Sequence, residues 1–239
     1  MLDFSLANKM SGLKVLVIFS TLLLIFIFSF PITIFTGPVN NWVGFVYHWL
    51  SESAGKQLFL FTVALLCLLP LLLRCTKKET LQLWVQFGVL LILSFTVKTG
   101  LKQLTEIPRP YVSQLHQLAL VDSISDFYQL DGINKQSTVD SAADKVTEWR
   151  LKSWRGETNY SMPSGHTLFS AVSIVFWGGF LLRRKMYFST SLLILWGVGV
   201  GYSRIWLGMH WPPDLIVSMI SAAFLYCIVP SWSAVKSDS

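Results

Sequence analysis

The stretch Ser203-Arg204-Ile205-Trp206-Leu207-Gly208-Met209-His210-Trp211-Pro212-Pro213-Asp214 puts a hydroxyl, a guanidinium, an imidazole and a carboxylate between two apolar runs, residues 187–202 and 215–229. Apolar runs separated by so short a polar interval read as consecutive membrane-spanning helices, with Gly208 and the Pro212-Pro213 pair marking the turn between them. Ionisable groups at a membrane boundary are costly, so by default they mark a functional site.

The rest of the chain agrees with a lipid environment. Of 239 residues, 53% are hydrophobic and 13% charged, against about 25% charged in an average soluble domain. The net charge of +6 does not point to nucleic acid. Lys and Arg form short clusters between apolar runs, not a stripe interleaved with aromatics, and that is a signature of membrane topology. Cys67, Cys75 and Cys227 make no disulfide framework and read as buried or reduced thiols. The first apolar run is too long for a signal-peptide core and has no clear cleavage site after it, so it is expected to be a retained span.

A membrane-crossing helix needs ~20 mainly apolar residues. Six segments qualify, some only with their polar flanks: 15–35, 58–73, 81–97, 168–182, 188–202 and 215–229. The expected fold is therefore all-α, a six-span transmembrane bundle forming one domain over 1–239, with an outer insertion at about 103–162. Basic residues fix the orientation. Lys9 and Lys14, then Arg74, Lys77 and Lys78, then Arg183, Arg184 and Lys185, and finally Lys236 fall on one side of six alternating spans. That side, with both termini, is expected to be cytoplasmic. The Ser203–Asp214 stretch then faces the non-cytoplasmic side. Residues 111–162 are nearly charge-balanced and predict a small, mostly helical segment outside the bilayer. Ser137-Thr138-Val139-Asp140 reads as a capped helix start, followed by Val139, Ala142, Ala143 and Val146 at helical spacing. Trp149, Trp154 and Tyr160 fit an interfacial aromatic belt.

Two further clusters lie at outer ends of spans. Lys102-Gln103-Leu104-Thr105-Glu106-Ile107-Pro108-Arg109-Pro110 carries two cations on a proline-broken turn, where Arg109 is held extended. Taken alone it reads rather as a snorkelling Lys and Arg at a membrane edge. Ser161-Met162-Pro163-Ser164-Gly165-His166 opens the fourth span and offers a helix N-terminus, which favours anions. His48 and His116 read as structural. In the third cluster Ser203 and His210 are seven apart, which returns to one helical face. Asp214 follows His210 by four, close enough to fix the imidazole tautomer and free the other nitrogen as a nucleophile.

Together the clusters gather Lys102, Arg109 and Arg204, His166 and His210, Ser164 and Ser203, and one carboxylate, Asp214. Three cations against one carboxylate would repel a metal ion, so no metal and no cofactor are expected. The same cations suit a phosphoryl oxyanion, which arginine grips with two parallel hydrogen bonds.

Lys102-x6-Arg109-Pro110, Pro163-Ser164-Gly165-His166 and Ser203-Arg204-x5-His210-x3-Asp214 resemble, in order and spacing, the three-part signature of the type 2 phosphatidic acid phosphatase superfamily. The resemblance implies that His210 attacks phosphorus to form a phosphohistidine and that Asp214 orients it. His166 would protonate the leaving group and later activate water. Lys102, Arg109, Ser164, Gly165 and Arg204 would hold the phosphoryl oxygens, with Pro163 and Ser203 in support. It further implies an inner-membrane lipid phosphatase acting on a phosphomonoester or terminal pyrophosphate. Phosphatidylglycerol phosphate comes first, with undecaprenyl pyrophosphate, phosphatidic acid and lysophosphatidic acid also possible. The expected partners are the lipid phosphate and membrane lipids, with no obligate protein partner. A substrate that stays in the bilayer avoids ~0.8 kcal/mol per CH2 of tail extraction. A lipid phosphotransferase with the same site and a catalytically silent phospholipid binder or transporter are the competing readings.

Overall fold

The computed structural model describes residues 2–230; Lys236 of the expected inner basic tail lies outside them. The described chain is all-α apart from one isolated bridge between Thr36 and Val146. In order the helices are α1 Leu2–Ser29, α2 Asn41–Ser53, α3 Phe59–Leu72, α4 Lys77–Thr105, α5 Pro110–Gln117, α6 Ile124–Gln129, α7 Gly132–Asp140, α8 Glu148–Trp154, α9 Gly165–Ser173, α10 Gly179–Arg183, α11 Tyr187–Trp206 and α12 Pro212–Ile228. A π-helical turn, Ile174–Gly178, joins α9 to α10, so the two run as one helix.

Among the described residues, Lys9–Ser29, Lys77–Gln117 and Gly165–Arg183 are long and apolar enough to cross a membrane, while Phe59–Leu72 and Pro212–Ile228 are apolar but shorter. The 14 residues of α3 amount to ~21 Å of helix, less than the ~30 Å hydrocarbon core, so its flanks must complete any crossing. The Gly165–Arg183 helix is the hub. Its most apolar window is 83% buried, against 33% and 28% for the other two long helices, so it is packed by protein on all sides. Close approach makes this possible: a Cβ on Gly179 would lie 2.6 Å from the Cα of Gly12, where α1 crosses α10.

The long helices pack side by side into a bundle, α1 on α10 and α11, and α9 on α4 and α12. At one end Arg184 Nη2 reaches Cys75 Sγ at 3.0 Å and Arg184 Nη1 the Leu73 carbonyl at 3.4 Å, while Lys9 donates to the Cys227 carbonyl. At the other end lie α2, the short helices α5–α8 and the three signature clusters.

Several expectations need correction. The first apolar run is helical only to Ser29; residues 30–35 are not helix, and Pro31 sits just beyond the break. α2 was not foreseen. In the outer segment the helix is Gly132–Asp140, capped by Asp131 accepting from the Asn134 N–H at 2.9 Å, so Ser137–Asp140 is its end and not its start. Val139, Ala142 and Val146 are buried but Ala143 is exposed. Trp154 is fully buried and donates to the Leu207 carbonyl at 2.7 Å, so it belongs to the core and not to a lipid-facing belt. Ser203 and His210 share no helical face, because α11 ends at Trp206.

Candidate active site

The loop that carries His210 is built from the end of α11. A helix C-terminus leaves four carbonyls without intrahelical partners. Here those of Ser203, Arg204 and Ile205 accept from the Leu207, Met209 and Gly208 N–H groups of the following turn, while the carbonyls of Trp206 and of the turn residues Leu207, Gly208 and Met209 accept from Arg150 Nε at 3.2 Å, Trp154 Nε1 at 2.7 Å, the Tyr111 N–H at 2.9 Å and Arg109 Nη1 at 3.0 Å. Gly208 turns the chain with φ +71°, and a Cβ there would press on the Phe35 ring at 3.0 Å. Glycine is thus required both by backbone conformation and by space.

His210 emerges from this turn almost wholly buried. Its Nδ1 lies 3.2 Å from Asp214 Oδ2, which also accepts the Trp211 N–H at 2.9 Å in the first turn of α12. A carboxylate can only accept, so the ring's proton is assigned to Nδ1 and the lone pair to Nε2. That Nε2 faces Arg109 Nη1 at 3.4 Å. Burial first, then the Arg109 and Arg204 guanidiniums, push the imidazolium well below the ordinary histidine range, so the ring is neutral at pH 7. A buried neutral imidazole with a fixed tautomer is a competent nucleophile.

Arg109 is extended (φ −75°, ψ 149°) between Pro108 and Pro110. Its backbone N–H donates to the Tyr128 hydroxyl at 2.9 Å, its Nε to the Asn159 carbonyl at 2.8 Å and its Nη2 to Asn159 Oδ1 at 2.6 Å. Lys102, in the last turn of α4, donates to the Tyr160 and Ser161 carbonyls. The Ser161 N–H in turn reaches the Ile107 carbonyl at 2.8 Å, and Trp211 Nε1 the Pro108 carbonyl at 2.8 Å. These bonds draw the three clusters, distant in sequence, into one unit.

A cavity of about 370 Å³ opens among them, and Lys102, Arg109, Gly165, His166 and His210 all line it. Its other walls include Phe59, Leu91, Phe95, Leu168 and Phe169, which are apolar. Asp214, Pro163, Ser164, Ser203 and Arg204 are not among its lining. Ser164 is fully buried, and its hydroxyl caps α9 by accepting from the Thr167 N–H at 3.3 Å and Thr167 Oγ1 at 3.0 Å. The Ser203 hydroxyl bonds back to the Val200 carbonyl at 2.6 Å. Arg204 holds Ser51 Oγ at 2.6 Å and lies behind a carboxylate.

That carboxylate, Glu157, corrects the expectation that Asp214 alone offsets the cations. It bridges Arg204 Nη2 at 3.0 and 3.1 Å and Arg109 Nη2 at 3.1 Å, with His166 Nε2 at 4.0 Å. Burial alone would raise its pKa; Arg204, Arg109, His166 and Lys102 together outweigh that and hold it well below the usual carboxylate range. The sequence held a faint signal for it: buried arginines need a counter-charge, and Glu157 lies just ahead of Ser161-Met162-Pro163. Gly55, Lys56, Lys98 and Asn159 also line the cavity and were not singled out. Among the described residues no group of three or more His, Cys, Asp or Glu is placed to hold a metal ion. His48 packs against Trp49 and Trp149, away from this cavity.

The family model of the PAP2 superfamily matches residues 83–238, which takes in all three clusters. The chain belongs to the PAP2 superfamily. Among curated proteins it is similar to phosphatidylglycerophosphatase B of Escherichia coli (strain K12), with 31% identity over 165 residues, 68% of this chain and 64% of that protein. It is similar to phosphatidylglycerophosphatase B of Haemophilus influenzae at 31% over 188 residues, 75% of this chain and 78% of that one. A shorter match, 35% over 68 residues, covers 28% of this chain and 31% of an undecaprenyl-diphosphatase of Sulfolobus acidocaldarius. The aligned part thus spans under two thirds of the Escherichia coli relative's length.

Proposed function

We propose that this PAP2 chain is an integral-membrane lipid phosphatase that removes a terminal phosphoryl group through a phosphohistidine. The observation that carries the reading is the neutral His210, anchored by Asp214, with its free Nε2 turned to Arg109 on a cavity whose other walls are apolar. In the first step the Nε2 lone pair forms a bond to phosphorus as the P–O bond to the lipid breaks, and His166, which takes up a proton once the phosphoryl anion sits beside it, supplies that proton to the leaving alkoxide or phosphate. In the second step His166 takes a proton from water, the water oxygen bonds to phosphorus, the N–P bond breaks, and inorganic phosphate leaves. Lys102, Arg109 and Arg204, with the backbone N–H groups opening α9, neutralise the phosphoryl charge. Fixed cations fill the role a metal ion would otherwise take, and they would repel one.

The names of the relatives support phosphatidylglycerol phosphate as first substrate and undecaprenyl pyrophosphate as second. Phosphatidic acid and lysophosphatidic acid carry the same terminal group. The apolar wall suits a tail that stays in the bilayer while the phosphate reaches His210. We place the protein in a bacterial inner membrane, with six crossings, both termini cytoplasmic and the site facing the periplasm; the clustering of Lys9, Arg184 and the α3–α4 turn at the end opposite the site supports that orientation.

The test is His210→Ala in detergent. Turnover of phosphatidylglycerol phosphate should fall by at least about 10⁴-fold while thermal unfolding stays cooperative, and the wild type should retain labelled phosphate in an alkali-stable, acid-labile bond on an alkaline denaturing quench. A variant that keeps turning over would remove the mechanism. Labelled phosphate recovered on a second lipid instead of in water would indicate a phosphotransferase.

A further inference from the structure

The Glu157 carboxylate stands where a phosphoryl group would have to bind. Its two oxygens sit on Arg204 Nη2, and one of them also on Arg109 Nη2, which is the pattern a phosphoryl group would make with the same forks. It is also the outer layer of the pair: the Glu157 side chain is 24% exposed, whereas the Arg109 and Arg204 side chains are each 1% exposed. Glu157 lines the cavity and Arg204 does not, so the carboxylate separates Arg204 from any ligand there. Arg204 Nε is buried without a hydrogen-bond partner.

We propose that Glu157 is a tethered competitor for the phosphate site, occupying both arginines in the empty enzyme and leaving them when an oxyanion binds. This rests on the reading of the cavity as a phosphoryl site. No helix holds Glu157. It follows Gly156, whose φ is +75°, on the irregular segment between α8 and α9. The segment is pinned beside it by Lys56 Nζ on the Gly156 carbonyl at 3.3 Å and by the Gly156 N–H on Gln136 Oε1 at 3.2 Å, so the side chain can swing while the backbone stays. Lys56 and Lys98 on the same cavity wall can receive the displaced carboxylate.

The reason for such a device is electrostatic. Buried guanidiniums without a counter-anion are strongly unfavourable, so an empty site of this kind needs either an internal carboxylate or a captured anion. An internal one lowers the apparent affinity of every oxyanion by the same factor, the fraction of time the site is open. Weakly held phosphodiester headgroups, abundant in any bilayer, then fail to fill the site, while a more highly charged terminal phosphate still displaces the carboxylate. Product phosphate is expelled as Glu157 returns.

The experiment is inorganic phosphate binding to the full chain in detergent, by titration calorimetry, for wild type and Glu157→Gln. The variant should bind at least about fivefold more tightly. Unchanged or weaker binding would overturn the proposal and make Glu157 a fixed support for the arginines. A second measurement reads the carboxylate itself: on saturating wild type with phosphate, the infrared difference spectrum should show a shifted carboxylate stretch that Glu157→Gln lacks, and no such band would also overturn it. Neither readout requires turnover. Phosphate binding of the expected pattern by a chain that hydrolyses no lipid would therefore defeat the phosphatase reading and leave this one standing, whereas no phosphate binding by either protein would sink both.

Discussion

Gly55 has no side chain because His166 occupies the space one would need: a Cβ there would lie 2.9 Å from His166 Nε2. Real Cβ atoms do not come so close to a nitrogen, so Gly55→Ala must move the ring that we propose protonates the leaving group. An error near 1 Å at a reacting group costs about 10²-fold in rate. Turnover of the lipid substrate should fall between about tenfold and 10²-fold in Gly55→Ala, with phosphate binding within about twofold of wild type. 4-Nitrophenyl phosphate, whose leaving group needs no proton, should lose much less. Equal losses on both substrates would place the damage in the second step, where His166 activates water for either, and no loss on either would mean that Gly55 acts elsewhere. At this scale the sequence was readable where chemistry is dense. His210 and Asp214 are near neighbours in the chain, so their pairing is local. Gly55 and Glu157 were not readable, since each acts on a residue far away in sequence and neither carries a motif of its own. Ser164 illustrates a different gap: a serine before a helix caps it more readily than it reaches a ligand, and only side-chain geometry shows its hydroxyl on Thr167.

At the scale of elements, the short helices α5–α8 do more than cover the bundle. They supply Tyr111, Arg150 and Trp154, whose donors fill the carbonyls at the end of α11 and thereby set the His210 loop. Trp154 tests this directly. It stacks on Tyr111 at 5.0 Å and donates to the Leu207 carbonyl, both fully buried. Trp154→Phe keeps most of the apolar contact and orphans that carbonyl, at a cost of about 1–3 kcal/mol. Thermal unfolding should report the loss, and kcat should fall with little change in KM, because the loop carries His210, the proposed nucleophile. Unaltered kcat in a destabilised variant would make the cap a mere cover. The long apolar helices were legible because hydropathy alone reports them. The cap was legible only as helical. Asp131 and Ser137 both look like helix starts, and what selects Asp131 is the register that buries Val139, a tertiary choice that no local pattern contains.

The whole molecule wears its apolar side chains outside. Val17, Ile25 and Phe28 on α1, Leu60, Leu65 and Leu72 on α3, Ile92 and Phe95 on α4, Leu195 on α11 and Phe224 on α12 are all exposed. A belt of that extent has no place in water and fits a bilayer. The belt leaves one question of direction, since it is the same whichever end faces the cytoplasm. Charge supports the proposed direction: Lys9, Arg74, Lys77, Lys78 and Arg184 gather at the end away from His210, and positive residues favour the inner side. Two cysteine positions can report the outcome. Cys75 lies at the basic end beside Arg184, and Ser125, exposed in the cap on α6, lies at the other. In spheroplasts carrying Ser125→Cys in a background where only Cys75 or only the new thiol remains, a membrane-impermeant maleimide should label residue 125 at once. It should label Cys75 only after permeabilisation. The reverse pattern would put the His210 cavity on the cytoplasmic face, where its lipid phosphates would have to come from the inner leaflet.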